Sequence, residues 1–233
     1  MEYAELRRAA WEANRALPAH GLVTLTWGNA SVADRASGRM AIKPSGVDYG
    51  ALRAEDMVVL DLEDGRVVSG RLRPSSDTPT HVELYRGFPA IGAVVHTHSV
   101  HATAWAQLAR PLPCCGTTHA DHFAGPVPVA RPLTAEEIAG DYERACGRSI
   151  VETFDRDAAD PGKVPAVFLP GHAPFVWGPD AKAAVENAVA LEAVARMALL
   201  MGASLRELPE SFCRRHFERK HGRRAYYGQA PSR

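Results

Sequence analysis

A tight-turn dipeptide between two valine-rich runs constrains the fold more than any other feature of this chain. Asp64-Gly65 interrupts the run MVVLDLEDGRVVSG at residues 57–70. Asp-Gly between apolar runs is typical of a β-hairpin, because the tightest hairpin turns require positive φ. A hairpin joins antiparallel strands. We therefore expect at least one antiparallel pair in the sheet, which a purely parallel βαβ sheet lacks.

The remaining segments alternate between helix-like and strand-like patterns without a regular βαβ rhythm. Short β-type runs flank a turn at 36–38, and apolar runs predict strands over 91–98 and 164–171. Ser99 is placed to cap a helix. Apolar residues at helical spacing predict helices over residues 3–17 and 180–202. Further helices are expected over 78–87, 100–109, 134–146 and 149–155. This order indicates an α/β layered fold whose sheet is partly antiparallel.

Charge and apolar content exclude several classes of function. Lys+Arg and Asp+Glu number 27 each, so the formal net charge is zero. The overall charge therefore gives no support to a nucleic-acid or membrane partner. No run of about 18 apolar residues predicts a membrane span, and residues 1–17 carry charges throughout, unlike a signal peptide. The four cysteines form no CxxC pair. We expect reduced thiols in a cytoplasmic protein.

Histidines follow two of the predicted strands. His96 and His98 lie in VVHTH, and alternate residues of a strand share a face, about 7 Å apart. His172 lies in LPGHAPF after another apolar run. Three neutral imidazoles suit Zn²⁺ and leave positions open for substrate oxygens, although a hydrogen-bonded histidine pair explains HxH equally well. His101, in the first turn of the next predicted helix, is interpreted as a cap or a supporting residue.

Three turn-like motifs combine hydroxyl groups with glycine or proline. They are TWGNAS at 26–31, KPSG at 43–46 and PSSD at 74–77. Backbone N–H groups, hydroxyls and Lys43 converging on one point would bind a phosphate. Turn formation alone also explains each motif, because Ser, Gly, Pro and Asn are common turn residues.

The segment RRHFERKHGRRAYYGQ at 214–229 is strongly basic. A solvated helix face is one interpretation. A nucleic-acid interface is a weaker one, because the patch is short and the whole chain is neutral. We interpret the segment as a local positive field that favours a phosphorylated substrate.

Several longer motifs resemble one known family. TLTWGNAS, IKPSGVDY, PSSDTPTH, VVHTHSVHATAWA, GTTHADHF, IVETF and RKHGRRAYYGQ occur in the order found in L-ribulose-5-phosphate 4-epimerases, which belong to the class II aldolase superfamily. The resemblance covers residues 1–229 and implies a single domain there, followed by a tail at 230–233. It also implies a three-layer α/β/α fold around a central, largely antiparallel mixed sheet.

The resemblance implies a function as well. The expected reaction interconverts L-ribulose 5-phosphate and D-xylulose 5-phosphate in arabinose-type pentose catabolism, through cleavage and re-formation of the C3–C4 bond. The expected cofactor is one Zn²⁺ per subunit, with Mn²⁺ as another candidate. The expected assembly is a homotetramer with active sites at subunit interfaces, a small-molecule pentulose 5-phosphate as its partner, and no nucleic-acid or membrane partner.

Individual residues match the functional positions of the family. Asp77 matches a fourth acidic ligand, or a near neighbour, of a zinc site formed by His96, His98 and His172. The substrate-phosphate contacts match Gly28, Asn29, Lys43, Ser45, Gly46, Ser75 and Ser76. The acid/base pair matches Asp121 and Tyr227, with His216 as a further catalytic-site residue.

Two alternatives to an epimerase remain open. Related sugar-phosphate aldolases typically carry Glu at the position of Asp77, and such an enzyme would release dihydroxyacetone and glycolaldehyde phosphate-type fragments. The shorter Asp77, followed by TPTH, favours the epimerase. A non-catalytic, adducin-like interaction domain would have lost the metal histidines, which this chain retains. Pro170 is a departure from the epimerases, which often carry His there.

Overall fold

The computed structural model describes residues 3–227. The predicted tail at 230–233, and the end of the predicted domain at 228–229, lie outside the described residues. Within 3–227 the strands form a seven-stranded sheet in the order β4-β3-β2-β1-β5-β7-β6. The strands are β1 (Asn29–Asp34), β2 (Arg39–Ile42), β3 (Val58–Asp61), β4 (Val67–Ser69), β5 (Ala93–His96), β6 (Ala166–Phe168) and β7 (Pro174–Gly178).

The strand pairing confirms the largely antiparallel sheet. Each pair of neighbouring strands in that order is antiparallel. The hairpin predicted at Asp64-Gly65 is the pair β3–β4, and Gly65 has φ 75°. The strand β7 was not predicted, because its sequence PFVWG follows a Pro- and Gly-rich stretch that resembles a loop.

The helices confirm most predicted segments. They are α1 (Ala4–Ala19), α2 (Thr78–Gly87), α3 (Val100–Gln107), α4 (Thr117–Ala120), α5 (Ala135–Ala139), α6 (Tyr142–Arg156), α7 (Ala181–Met201) and α8 (Glu210–His221). The single helix predicted over 134–146 is wrong. It is divided at Gly140, whose φ −99° and ψ −126° are not helical, so α6 starts at Tyr142. A membrane crossing needs a longer and more apolar helix than any that residues 3–227 form.

Helices cover both faces of the sheet and produce three layers. Successive residues of a strand point to opposite faces. On one face, the side-chain amide of Asn14 in α1 donates to the carbonyl oxygen of Ala30 in β1 and accepts from the Ala30 N–H, both at 2.8 Å. Ser31 faces the other layer, where its hydroxyl lies 2.7 Å from His81 Nδ1 of α2. In that same layer the buried Trp177 of β7 contacts Phe88, which follows α2, and Phe154 of α6, with tilted and edge-on ring geometry.

The start of α3 fixes the segment that follows β5. Ser99 occupies the predicted N-cap position of α3. Its side chain makes no hydrogen bond to the helix N-terminus, so the predicted capping bond is wrong. Glu192 of α7 accepts the N–H groups of His101 (3.0 Å) and Ala102 (2.9 Å) instead. A carboxylate at a helix N-terminus is favourable because it pairs unsatisfied N–H groups. His101 Nδ1 also lies 2.6 Å from Glu192 Oε1.

The last helix, α8, lies against α4. A small cluster of Cys114, Ala120 and Cys213, with Leu208 beside it, is buried between them. Leu208 N–H donates to the carbonyl oxygen of Cys114 (2.8 Å) and anchors the approach to α8. The four cysteines are free, as expected. This contact brings the basic segment to the residues around Asp121.

Candidate functional site

Three histidines converge at one end of the sheet. His96 is the last residue of β5, and β7 lies beside it, with Phe175 opposite His96 in the ladder. His172 lies in the turn that leads into β7, held by its N–H donating to the carbonyl oxygen of Leu169 (3.1 Å). The ring centroids of His96, His98 and His172 are 5.0 Å apart in each pair, and one ligand atom from each lies within 4.8 Å of the others.

The orientation of two of these rings is set by their neighbours. His96 Nδ1 is 2.9 Å from the carbonyl oxygen of Pro174, which only accepts, so Nδ1 carries the proton and Nε2 keeps its lone pair. The His96 ring also stacks on Phe175 at 4.2 Å. His172 Nδ1 lies 3.4 Å from the hydroxyl of Tyr142. Partners of this kind are typical of metal-binding histidines.

The lowered pKa values of His98 and His172 suit a divalent cation. Burial, reinforced by His96, holds the pKa of His98 below its usual value. Burial and the two neighbouring imidazoles lower the pKa of His172 to about 4. Neutral imidazoles offer lone pairs at neutral pH, and three such donors with open positions beside them fit Zn²⁺. The residues present therefore fit the expected metal.

Asp77 lies on the wall of the same cleft, at the start of α2. Its Oδ2 accepts from the Asn29 side-chain amide (2.6 Å), with Ser75 Oγ at 3.4 Å. Burial would raise the pKa of Asp77, but His96, His81 and the hydrogen bond from Asn29 outweigh it and hold that pKa below its usual value. Asp77 is thus a fixed carboxylate beside the histidines.

One cleft of about 680 Å³ contains the histidines and all of the predicted phosphate contacts. The predicted residues on its walls are Gly28, Asn29, Lys43, Ser45, Gly46, Ser75, Ser76, Asp77, His96, His98 and His172. Three motifs far apart in the chain are therefore brought together. KPSG and PSSD lie side by side, since Ser75 N–H donates to the carbonyl oxygen of Lys43 and Ser45 N–H to that of Arg73, both at 3.0 Å.

Lys43 is the one lysine or arginine on the described walls of this cleft. Its side chain is buried, with 1% relative exposure of the residue, and its Nζ makes one long hydrogen bond, 3.4 Å, to the carbonyl oxygen of Pro44. Its ammonium lies 4.7 Å from the centre of the Tyr49 ring. Within residues 3–227 no carboxylate lies within 4.0 Å of it. Burial lowers the pKa of Lys43, so an anion in the cleft would stabilise its charge.

The loop at 26–28 is held through its backbone carbonyl groups. The Tyr49 hydroxyl donates to the carbonyl oxygen of Gly28 (2.8 Å), with that of Trp27 at 3.1 Å. Gly28 has φ +81°, and a Cβ there would lie 2.7 Å from the carbonyl oxygen of His96. Only glycine fits this position without displacing the backbone of His96.

The proposed acid/base residues form a second cluster around Asp121. Its carboxylate accepts two bonds from Arg219, at 2.9 and 2.5 Å, and lies 3.2 Å from His216 Nδ1. Burial would raise the pKa of Asp121, but Arg219 and His216 hold it below its usual value. Tyr227 lies beside Arg219, with its side chain exposed. In the described part of the chain, none of these residues lines the histidine cleft.

Sequence reasoning missed several residues that the structure places at these sites. Tyr142 and Glu143 line the cleft, and the break at Gly140 that positions them falls inside the predicted helix. The sequence indicated no role for Tyr49 of IKPSGVDY, whose hydroxyl donates to the carbonyl oxygen of Gly28. Arg219 was counted only as part of a basic segment. Its spacing of three residues from His216 on one helix would have indicated a shared face.

Comparison with known proteins identifies the family. Residues 8–199 match the family described as Class II Aldolase and Adducin N-terminal domain. That match spans most of the 233 residues, so the chain belongs to this family. The observed fold agrees with this assignment.

Solved structures agree with the family. An L-fuculose 1-phosphate aldolase is 26% identical, with a TM-score of 0.77 over 92% of this chain and 95% of that one. YgbL from Klebsiella pneumoniae is 26% identical, with a TM-score of 0.71 over 92% and 99%. The L-fuculose-1-phosphate aldolase from Thermus thermophilus is 26% identical, with a TM-score of 0.65 over 84% and 94%.

Proposed function

We propose that this protein is an L-ribulose-5-phosphate 4-epimerase, which interconverts L-ribulose 5-phosphate and D-xylulose 5-phosphate. The observation that carries the proposal is the single cleft that holds both the histidine cluster and the motifs around Lys43. A sugar phosphate has the two kinds of group that such a cleft would bind. Its phosphate suits a buried cation and hydroxyl-rich turns, and its vicinal oxygens suit a cation held by imidazoles.

The chemistry of the substrate requires bond cleavage. C4 of a ketopentose 5-phosphate has no acidic proton, because the carbonyl is at C2, so simple deprotonation cannot invert it. Removing the C4 hydroxyl proton breaks the C3–C4 bond and leaves glycolaldehyde phosphate and the enediolate of dihydroxyacetone. Rotation of the aldehyde and re-addition on its other face then give the epimer.

The residues of this chain have separate tasks in that reaction. Lys43, with the serines of KPSG and PSSD, would retain the aldehyde fragment by its phosphate while it rotates. Asp121 and Tyr227 would exchange the hydroxyl proton on the two faces of the aldehyde. When bound by His96, His98 and His172, Zn²⁺ or Mn²⁺ would supply Lewis-acid stabilisation of the negative charge on the C2 and C3 oxygens.

The contacts of Asp77 favour epimerisation over release of fragments. A group that transfers a proton to carbon has to reach the substrate. Asp77 is short, buried and engaged by Asn29 at 2.6 Å. We therefore assign it to ordering the histidine end of the cleft, either as a fourth ligand or as a neighbour.

The separation of the two clusters supports a site shared between subunits. Asp121, His216 and Tyr227 lie outside the histidine cleft of their own chain within residues 3–227. We propose a homotetramer in which one subunit supplies the histidine cleft and its neighbour supplies the acid/base cluster.

The second candidate is a class II sugar-phosphate aldolase. The 26% identity to two L-fuculose-phosphate aldolases favours it. Incubation of the pure protein with L-ribulose 5-phosphate, with and without a chelator and added Zn²⁺, distinguishes the two. We expect chelator-sensitive formation of D-xylulose 5-phosphate with no free aldehyde in a trapping assay. Stoichiometric release of dihydroxyacetone would refute the epimerase and support the aldolase.

A further inference from the structure

Arg219 makes the most specific contact in the acid/base cluster. Its Nε donates to Asp121 Oδ1 (2.9 Å) and its Nη2 to Oδ2 (2.5 Å), so both nitrogens of one edge of the guanidinium face both oxygens. The pair is largely shielded, with side-chain exposures of 25% and 14%. A bidentate arginine fixes the plane of a carboxylate as well as its position, which a point charge such as lysine cannot do.

The same arginine also contacts the tyrosine. Its guanidinium carbon lies 5.0 Å from the centre of the Tyr227 ring, within the range of a cation–π contact. Its carbonyl oxygen accepts the N–H groups of Tyr226 (3.0 Å) and Tyr227 (3.1 Å). Arg219 therefore holds the chain that follows α8 with its main chain and the Tyr227 ring with its side chain.

We propose that Arg219 is a positioning residue that fixes the Asp121 carboxylate and the Tyr227 ring in one arrangement, as the connection between the two proton carriers. Their role as proton carriers rests on the proposed function above. Arg219 donates no proton and contacts no reacting atom in this scheme. Its effect is exerted through the geometry and the charge state of its two neighbours.

The positive charge of Arg219 supports the same role for this residue as its contact geometry does. Despite burial, Arg219 and His216 hold the pKa of Asp121 below its usual value, so the carboxylate stays ionised and available as a base. Other titratable groups around this segment come from α8 and from the chain near α4, namely His119, His122, Lys220 and His221. Glu218 of α8 lines the same surface pocket as Arg219, but among residues 3–227 the only carboxylate within 4.0 Å of the Arg219 guanidinium is that of Asp121.

The test compares Arg219→Gln and Arg219→Lys with Arg214→Gln in the full-length protein. Arg214 is an exposed arginine of the same helix, so its variant is the control for loss of one positive charge. The first readout is the titration midpoint of the Asp121 carboxyl, followed by ¹³C NMR and assigned with Asp121→Asn. The second is the pH profile of epimerisation, measured alongside the bound-metal content.

We expect the Asp121 midpoint to rise in Arg219→Gln and to rise less in Arg219→Lys, which keeps the charge but loses the bidentate geometry. The acidic limb of the pH profile should move in the same direction. We expect kcat to fall about 10- to 100-fold with the metal retained, since misplacement of a catalytic group has costs of this size. Arg214→Gln should keep the wild-type Asp121 midpoint and bound-metal content.

The proposal is overturned if Arg219→Gln keeps the wild-type Asp121 midpoint, or if Arg214→Gln shifts it equally. If Arg219→Gln does not fold, Arg219→Lys decides, and wild-type kcat with an unchanged pH profile in that variant would also overturn it. A wild-type protein that shows no epimerisation, while its Asp121 midpoint still depends on Arg219, refutes the proposed function and supports the assigned contact.

Discussion

Replacing Gly28 with alanine tests whether the loop at 26–28 and the histidine cluster depend on one backbone contact. An alanine would have to adopt φ +81°, and its Cβ would lie 2.7 Å from the carbonyl oxygen of His96 and 3.2 Å from Thr97 Cα. The left-handed conformation costs an L-residue about 1–2 kcal/mol. Both contacting atoms belong to the main chain, so overpacking adds about 1–3 kcal/mol.

Gly38→Ala is the matched control. Gly38 has φ +67°, and among the described residues no heavy atom lies within 4 Å of the position of its Cβ. Gly38→Ala therefore has the same conformational cost as Gly28→Ala but lacks the close contact of the new Cβ with a neighbouring backbone. Urea unfolding at one protein concentration gives the two free energies of unfolding. We expect Gly28→Ala to be less stable than Gly38→Ala by about 1–3 kcal/mol, and to bind Zn²⁺ more weakly in a chelator competition. Equal stability of the two variants would refute the reasoning.

The remaining predictions concern the metal, the tyrosine and pH. His98→Asn should lose bound metal and activity together, measured by metal analysis and the epimerase assay, and full metal retention would contradict its role. Tyr227→Phe should keep the metal and lose epimerisation, because it removes only a proton carrier, and normal turnover would exclude that role. In the metal-free protein the free energy of unfolding should fall as the pH is lowered from about 6.5 to about 4. Burial lowers the pKa of His172 to about 4 and that of His81 to about 3, so the unfolded chain takes up protons that the folded chain does not. Urea midpoints at several pH values check this, and a midpoint independent of pH over that range would contradict it.

Local patterns in the sequence predicted much of the fold. The Asp64-Gly65 hairpin and the long helix over 180–202 depend on neighbouring residues, and both are present. Features that depend on distant residues were not predictable in this way. Ser99 has the residue type of a cap, yet Glu192 of α7 makes the capping bonds because the tertiary fold brings its carboxylate there.

In the candidate site, too, features set by neighbouring residues were predictable and features set by distant residues were not. Spacing alone placed His96 and His98 together, although β5 ends at His96 instead of continuing to His98. The position of His172 depends on β7 pairing with β5, and β7 was not predicted. Tyr142 reaches His172 only because the helix breaks at Gly140. Periodicity contains no information about such pairings between distant segments.

The position of β7 next to β5 has a consequence for the kinetics of folding. His96 and the Pro174 carbonyl that orients it are 78 residues apart in the chain. Closing a loop of that length costs entropy before any contact repays it. The three imidazoles thus become neighbours only after β7 has docked on β5. A cation that binds all three would stabilise the native state and leave the earlier species unaffected, so it would lengthen the lifetime of the folded protein without accelerating its formation.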